Sequence, residues 1–256
     1  MDPARRRCQR REVTSSDLWD ETTAAAYDDE VSAEFAPEVV GPAVDYLHGL
    51  AEGGPALELA VGTGRIGIPL GRLGTPVTGV ELSESMVAQL RRKVDAQTLP
   101  VVVGDMATAT VPGDFSLVFL VVNSLANLRT QQEQVACFRN AARHLRAGGR
   151  FVIELWVPDL RALTPGTGAV AREVRDGYAA FDTYDVATQE CTSQSFRRHP
   201  DGTVRHDRGS FRYVWPAECD LMATLAGLTF ETRVASFRGD PFDATSPRHV
   251  SVWRKP

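Results

Sequence analysis

The sequence predicts an α/β fold with a doubly wound seven-stranded sheet and an antiparallel β insertion. The first observation behind this prediction is an apolar run, begun at Pro55, that passes into a glycine-rich turn. From there to Leu155, short apolar segments alternate with segments whose apolar residues recur at helical spacing. Between residues 169 and 214 the apolar period becomes two, which is typical of antiparallel strands.

The glycine-rich turn predicts a site for a nucleotide-like cofactor. A strand at 56–60 leads into the turn, and a helix at 65–73 leaves it. Glycines at positions 62, 64 and 67 allow backbone N–H groups to approach a ligand where a Cβ atom would collide. The helix N-terminus adds a partial positive charge at the same place.

Two cofactor chemistries fit this turn. The spacing Gly62-x-Gly64-x-x-Gly67 satisfies the dinucleotide fingerprint, and Glu81 follows at the distance expected of a ribose-binding acid. Glu58 favours the other chemistry, because a buried acid requires a cation or several donors. It would repel a pyrophosphate but attract the ammonium and sulfonium groups of S-adenosylmethionine. An NAD(P)-dependent oxidoreductase and a non-catalytic nucleoside-binding module remain the alternatives.

The pattern Glu58-x-Ala60-x-Gly62-x-Gly64 resembles motif I of the class I S-adenosylmethionine-dependent methyltransferases, usually acid-x-Gly-x-Gly-x-Gly. The chain departs from that motif at Ala60, and an alanine is tolerable there if its φ is negative. The resemblance implies a Rossmann-like fold, S-adenosyl-L-methionine as cofactor and S-adenosyl-L-homocysteine as product. It also implies methyl transfer to an N or O of a small molecule, such as a sugar amine or a natural-product intermediate.

The same resemblance assigns cofactor contacts at the ends of the later strands. Glu81 would bind the ribose hydroxyls and Leu82 would pack on the adenine, while Asp105 and Met106 would read the adenine edge. Val122 and Asn123 would meet the methionine end and the acceptor. The full set of expected cofactor-binding residues is Trp19, Tyr27, Glu58, Ala60, Gly62, Thr63, Gly64, Glu81, Leu82, Asp105, Met106, Val122 and Asn123.

The N-terminal part is predicted to be a tail followed by a lid. Residues 1–16 are polar and rich in arginine, which favours a disordered tail. Residues 17–54 read as a helical lid with one short helix near 18–28 and a second near 38–50. The first helix is similar to the lid segment of small-molecule methyltransferases, which often ends in a Tyr-Asp pair over the cofactor.

The remaining chain divides into a core and an insertion. The core comprises residues 55–164 and 216–256, and its helix Gln131–Leu145 is expected to be stopped by Gly148-Gly149. The last two strands fit the methyltransferase fold, in which the final strand inserts antiparallel. Residues 165–215 are expected to form an antiparallel layer that serves either the substrate or a homodimer.

Candidate catalytic residues are few. Tyr27 of the lid and Asn127 after the fourth strand are the candidates, although several relatives carry His or Tyr where Asn127 stands. Because Asn cannot take a proton, a general base at that position is in doubt. The aromatic residues expected to wall an acceptor cavity are Trp156, Tyr178, Phe181 and Tyr184.

Composition limits the partners. The 256 residues carry a formal net charge of −5, which gives no general attraction to nucleic acid. No apolar run is long enough for a membrane helix, and no signal-peptide pattern begins the chain. Four scattered cysteines lack metal-ligand spacing, so we expect reduced thiols, no metal and a cytoplasmic location. The expected partner is a small-molecule acceptor, with no nucleic acid and no membrane.

Overall fold

The computed structural model describes residues 19–30, 35–158, 160, 163, 166 and 168–256, so the predicted tail at 1–16 lies outside the described residues. The helices of this described part are α1 (Glu21–Glu30), α2 (Pro37–Ala51), α3 (Gly67–Arg72), α4 (Glu84–Arg91), α5 (Gln131–His144) and α6 (Pro216–Leu225). Its strands are β1 (Ala56–Leu59), β2 (Val77–Glu81), β3 (Val101–Val103), β4 (Phe115–Leu120), β5 (Leu145–Trp156), β6 (Val170–Arg175), β7 (Tyr178–Asp185), β8 (Glu190–Arg198), β9 (Val204–Arg212), β10 (Thr229–Val234) and β11 (Arg248–Arg254).

Seven strands form the larger sheet, in the order β10-β11-β5-β4-β1-β2-β3. The pairs among β1 to β5 are parallel, whereas β11 runs antiparallel to both β5 and β10. The predicted doubly wound α/β fold with an inserted last strand is therefore confirmed. Such a C-terminal pair differs from the second βαβ half of a dinucleotide-binding fold.

The sheet is covered by helices on both faces, which gives two hydrophobic cores. On one face Phe138 of α5 packs edge-on against Phe151 of β5, with ring centroids 5.1 Å apart, and Trp253 of β11 joins them. On the other face Leu47 of α2 packs in the cluster that contains Phe119 of β4. Successive residues of β4 thus alternate between the two cores, as a doubly covered sheet requires.

Two helix termini show how local sequence sets these elements. Ser83 caps α4, since its side chain accepts a hydrogen bond from the N–H of Met86. Helix α5 ends at His144, one residue before its predicted end at Leu145, but Gly148-Gly149 lie within β5 and do not cap the helix. A Cβ atom on Gly149 would lie 3.0 Å from the carbonyl oxygen of Phe115, so this glycine permits close strand pairing.

The insertion forms a second sheet, of order β6-β7-β8-β9, in which every pair is antiparallel. Its four strands all lie within residues 169–214, where the apolar period of two predicted antiparallel strands, and the turn between β8 and β9 contains Gly202 at φ +84°. No helix in the described ranges is long and apolar enough to cross a membrane.

Candidate active site

A cleft of about 1030 Å³ opens at the carboxyl ends of β1 and β4, where ligands bind in folds of this kind. Its walls come from α1, from the ends of the central strands and from one face of the second sheet. The expected site residues that line it are Trp19, Tyr27, Glu58, Ala60, Val122, Asn123 and Asn127.

Glu58 presents a buried carboxylate to this cleft. The residue is 3% exposed, and within the described part of the chain its Oε2 atom has no hydrogen-bond partner. Burial raises the pKa of the Glu58 carboxyl well above its usual range, and the nearby Arg65 guanidinium opposes that shift. A buried acid with an unsatisfied oxygen fits the ammonium group of an amino-acid ligand, which would supply both a positive charge and N–H donors.

The glycine turn has one conformational departure from expectation. Ala60 has φ +57°, so the condition for an unstrained alanine at this position, a negative φ, is not met. The left-handed conformation costs a residue with a Cβ atom about 1 kcal/mol or more, which explains why glycine suits the position. Gly62 and Gly64 also have positive φ, and a Cβ atom on Gly64 would lie 2.7 Å from Ile68.

Glu81 connects two turns that surround the expected ribose position. Its carboxylate accepts hydrogen bonds from the N–H of Gly62 at 2.9 Å and from the N–H of Ser83 at 3.0 Å. Burial raises the pKa of the Glu81 carboxyl, and these backbone donors oppose the rise. Only 6% of the residue is exposed, so Glu81 also holds the β1–α3 and β2–α4 turns together.

A second, smaller cavity of about 40 Å³ groups the positions expected to bind the adenosine. Glu81, Leu82, Asp105 and Met106 all line it, as do Trp19 and Asn127. Asp105 accepts a hydrogen bond from the N–H of Ala107 at 2.7 Å through Oδ1, which fixes the loop after β3. The structure therefore brings residues from the ends of β2 and β3 into one cavity, although they are far apart in the chain.

Helix α1 is held over the glycine turn at both of its ends. At one end Ser83 Oγ donates a hydrogen bond to the carbonyl oxygen of Trp19 at 2.7 Å. At the other end Thr63 Oγ1 donates to Asp28 at 2.6 Å, and Lys93 forms an ion pair with the same carboxylate. Lys93 also donates to the carbonyl oxygen of Thr63 at 3.0 Å. These contacts hold α1, the predicted lid, beside the glycine turn. Sequence reasoning missed Lys93, and it singled out Asp28 only as part of the Tyr-Asp pair of the lid segment.

The lid also positions two aromatic rings. Trp19 and Tyr27 meet edge to face, with ring centroids 5.4 Å apart, and both line the large cleft. This pairing fixes the Tyr27 ring relative to Trp19 through a favourable quadrupole contact.

The turn after β4 is held in a strained conformation. Val122 and Asn123 have φ +56° and +57°, and such values are genuine outliers for a β-branched residue. Glu154 of β5 stabilises the turn, because its Oε2 accepts from the N–H of Val122 and its carbonyl oxygen accepts from the N–H of Asn123. In return, Asn123 Oδ1 accepts from the N–H of Trp156 at 3.2 Å. Strain of this kind concentrates at functional sites.

Asn127 lies where the two cavities meet. It ends the short 3₁₀ helix Ser124–Asn127 and lines both the large cleft and the smaller cavity. Its Oδ1 atom is buried and has no hydrogen-bond partner among the described residues. The carbonyl oxygen of this amide is therefore available to accept a hydrogen bond from a bound molecule.

Only part of the expected aromatic wall faces the cleft. Trp156 and Tyr178 line it, whereas Phe181 and Tyr184 are not among its lining residues. Phe181 lies on the opposite face of β7 from Tyr178, because the two are an odd number of residues apart. Tyr184 packs against Tyr213 with ring centroids 5.9 Å apart. The sequence alternation separated the two faces but did not show which one meets the cleft.

Comparisons with known proteins identify the family of this chain. A family model described as a methyltransferase domain matches residues 56–149. The Streptomyces sp cypemycin N-terminal methyltransferase is 29% identical over 247 residues, 94% of this chain and 98% of that protein. The Streptomyces venezuelae dTDP-3-amino-3,4,6-trideoxy-alpha-D-glucopyranose N,N-dimethyltransferase is 32% identical over 189 residues, 70% of this chain and 77% of that protein.

A solved structure gives the same result at the level of the fold. The CcbJ methyltransferase from Streptomyces caelestis superposes with a TM-score of 0.76 and 36% identity, covering 84% of this chain and 88% of that one. The chain belongs to the class I S-adenosylmethionine-dependent methyltransferases. It is an enzyme whose cofactor is S-adenosylmethionine. The two alternative functions, an NAD(P)-dependent oxidoreductase and a non-catalytic nucleoside-binding module, are therefore rejected.

Proposed function

We propose that this methyltransferase transfers a methyl group to an amine nitrogen of a small molecule. The observation that carries the proposal is the buried, unpartnered Oδ1 of Asn127 at the junction of the two cavities. A bound amine supplies the N–H donor that this oxygen lacks. The same hydrogen bond orients the nitrogen so that its lone pair points at the methyl group. Such alignment is the main requirement of an in-line displacement.

The cofactor contacts in this proposal follow from the geometry of the cradle. Bound S-adenosylmethionine supplies a methyl group already activated on a sulfonium sulfur. Glu58 accepts from the ammonium of its methionine part, which satisfies the orphaned Oε2. Glu81 keeps lone pairs for the ribose hydroxyls beyond the two backbone bonds that it accepts. Asp105 and Met106 bind the adenine edge, and the Val122–Asn123 turn meets the methionine end.

The residues that would surround the acceptor favour an amine over an alcohol. An alcohol must lose a proton to a base during transfer, whereas an amine reacts through the neutral fraction present near pH 8. Of the described residues beside the cofactor end of the cleft, Asn127 and Ser124 cannot act as a base at this pH. Tyr27 lines the same region and, in this proposal, its hydroxyl helps to orient the acceptor.

The relatives support nitrogen as the atom methylated. The cypemycin enzyme is named for an N-terminal methylation and the Streptomyces venezuelae enzyme for an N,N-dimethylation of an amino sugar. A sugar amine or an amine of a natural-product intermediate is therefore the acceptor class that we propose here. In this division of the chain, residues 55–164 and 216–256 bind the cofactor. Residues 17–54 and 165–215 close over the acceptor.

Location and assembly are part of the same proposal. Cys137 and Cys219 are free, fully buried thiols, which suits the reducing cytoplasm. The face of the second sheet that points away from the cleft exposes Val174 and Phe196, and it supports a homodimer through this layer. Sedimentation equilibrium with Val174→Glu tests the dimer, since a monomeric parent protein would remove it from the proposal.

The function is tested by mass spectrometry of a panel of acceptors. The panel contains amino sugars, short peptides with a free N-terminal amine, and matched alcohols and phenols without nitrogen. We expect methylated products only from amines, and about a tenfold loss of kcat/KM in Asn127→Ala through the missing hydrogen bond. The exposed loop variant Gln97→Ala is the control and should keep full activity. Methylation confined to the alcohols or phenols would replace the amine proposal with O-methylation.

A further inference from the structure

The face of the second sheet that meets the cleft carries a row of side chains across all four strands, with a tyrosine on β7 and an arginine on each of the other three. The strand register places Arg175 opposite Tyr178, Tyr178 opposite Arg197, and Arg197 opposite Arg205. All four of these residues line the large cleft. The Tyr178 ring lies between two guanidinium groups, at 4.7 Å from Arg175 and 5.0 Å from Arg197. These cation–π contacts hold both guanidiniums in a defined place over the cleft.

The charge of this wall is not balanced by its own acids. Five arginines of the second sheet line the cleft, against the two carboxylates Glu173 and Asp207. Each carboxylate already forms an ion pair, Glu173 with Arg175 at 2.7 Å and Asp207 with Arg205 at 2.9 Å. Among the described residues, no ion pair is recorded for Arg197. The whole chain is acidic, with a net charge of −5, so the positive wall is a local feature.

The position of Arg197 opposite Arg205 has a physical cost. Like charges directly opposite each other on neighbouring strands destabilise a sheet. That cost falls when an anion lies between the two guanidiniums, because each then gains a charge-assisted hydrogen bond. Guanidinium forks match the planar oxygens of carboxylates and phosphates, and enclosure in a cleft strengthens the attraction relative to open water.

We propose that the acceptor is an amine that also carries an oxyanion, a phosphate ester or a carboxylate, bound by the row Arg175–Tyr178–Arg197–Arg205. This inference rests on the proposed amine methylation, because it assigns the anion to the same acceptor molecule. The anion fixes the far end of the acceptor on the second sheet, while Asn127 receives the amine near the cofactor. The arginine row would thus select acceptors that carry an anionic group at the end far from the methylated amine.

The test measures anion binding to the protein saturated with S-adenosylhomocysteine. Inorganic pyrophosphate and citrate serve as probes of the phosphate and carboxylate classes, in calorimetric titrations at low ionic strength. We expect saturable binding that weakens as salt is added, and roughly a tenfold weakening in Arg197→Gln. The matched control is Arg198→Gln, since Arg198 is next on β8, lies on the other face and pairs with the exposed Asp176.

The outcomes separate the inference from the proposed function. Binding of pyrophosphate alone identifies the anion of the acceptor as a phosphate ester, and binding of citrate alone identifies it as a carboxylate. In either case, Arg197→Gln must weaken the binding of the probe and Arg198→Gln must leave it unchanged. Binding of neither probe, or an equal loss in both variants, overturns the inference. Unchanged melting temperature and S-adenosylhomocysteine affinity verify that the variants are folded. If the anion binds as expected but no amine is methylated, the oxyanion site stands and the amine acceptor fails.

Discussion

The carboxylate of Glu154 accepts a hydrogen bond from the backbone N–H of Val122 at 3.0 Å, across two neighbouring strands. Val122 is a β-branched residue at positive φ, a conformation that it would rarely adopt without such support. The acid in β5 therefore determines the shape of the turn after β4, where the methionine end of the cofactor is expected. Residues that hold a strained turn act on function without contacting the reacting atoms.

Glu154→Ala should weaken S-adenosylhomocysteine binding by about 1–2 kcal/mol, because the Val122 N–H loses a charged acceptor and the turn relaxes. Calorimetry measures the change. Glu154→Gln keeps an acceptor oxygen and should recover most of the affinity. Glu231→Ala, which removes one ion-pair partner of Arg150, is the control. Equal affinity in Glu154→Ala and the parent protein would show that the turn needs no such support.

Glu81→Ala should lower both cofactor affinity and the stability of the cofactor-free protein. From its place at the end of a strand, the sequence suggests that this acid affects ligand binding alone. Its removal instead leaves the N–H groups of Gly62 and Ser83 without their acceptor, at about 1–3 kcal/mol in unfolding free energy. Urea denaturation of the cofactor-free variant tests this, with the exposed Asp114→Ala as the reference. An unchanged midpoint would contradict the structural role.

Ala60→Gly should raise the unfolding free energy slightly, by up to about 1 kcal/mol, since glycine adopts φ +57° without strain. The matched control is Ala56→Gly at the start of β1, the strand that precedes Ala60, where the residue is fully buried. There the glycine should destabilise the protein, through lost packing and greater freedom of the unfolded chain. Thermal melts of both variants give the comparison, and destabilisation by Ala60→Gly would argue against strain at this position.

Lys93→Met should speed the release of S-adenosylhomocysteine by a few-fold without changing the fold. The ion pair with Asp28 holds the lid, but both side chains are about one-third exposed, so solvent limits its contribution to roughly 0.2–1 kcal/mol. Stopped-flow displacement measures the release rate. Asp29→Asn, on the exposed neighbour of Asp28, should leave that rate unchanged. A slower release in Lys93→Met would mean that the ion pair favours the open lid.

The free energy of unfolding should fall at acidic pH because of the buried His249. Burial lowers the pKa of this histidine from 6.5 to about 4, and the nearby Arg233 adds to the shift. The folded state then binds fewer protons than the unfolded state between these values. The contribution of His249 to the free energy of unfolding is therefore fully present above pH 6.5. It falls by roughly 3 kcal/mol as the pH is lowered to 4. Denaturation from pH 7 to pH 4 should show a shallower slope in His249→Gln, but an unaltered slope in the exposed His199→Gln.

The elements of the fold were predictable because their signals are local. Apolar period, caps and turn residues identified the strands of both sheets, and Glu58 with the glycines identified the cofactor cradle. The resemblance to class I methyltransferases placed Glu81 and Asp105 at the ends of later strands, and both line the smaller cavity. The strands and the cradle needed only residues that are close in sequence, whereas the assignment of Asp105 rests on the resemblance.

What escaped prediction depends on distant contacts. The positive φ of Val122 needs Glu154, and the lid anchor joins Asp28 to Lys93, two pairs widely separated in the chain. Nothing in the local sequence marks Ala60 as left-handed, because alanine usually avoids that conformation. Likewise, alternation in β8 puts Arg197 and Arg198 on opposite faces, yet only the packing of the two sheets shows which of them meets the cleft.

Strand β11 follows every other described strand in the chain, yet it lies between β5 and β10. Its residues 249–253 are fully buried. During synthesis, the free edge of β5 therefore waits for residues 248–254 to leave the ribosome, and β10 has no partner until then. The second sheet pairs only strands adjacent in sequence and can form once residue 212 has emerged. A nascent chain can thus complete its second sheet before the seven-stranded sheet is closed.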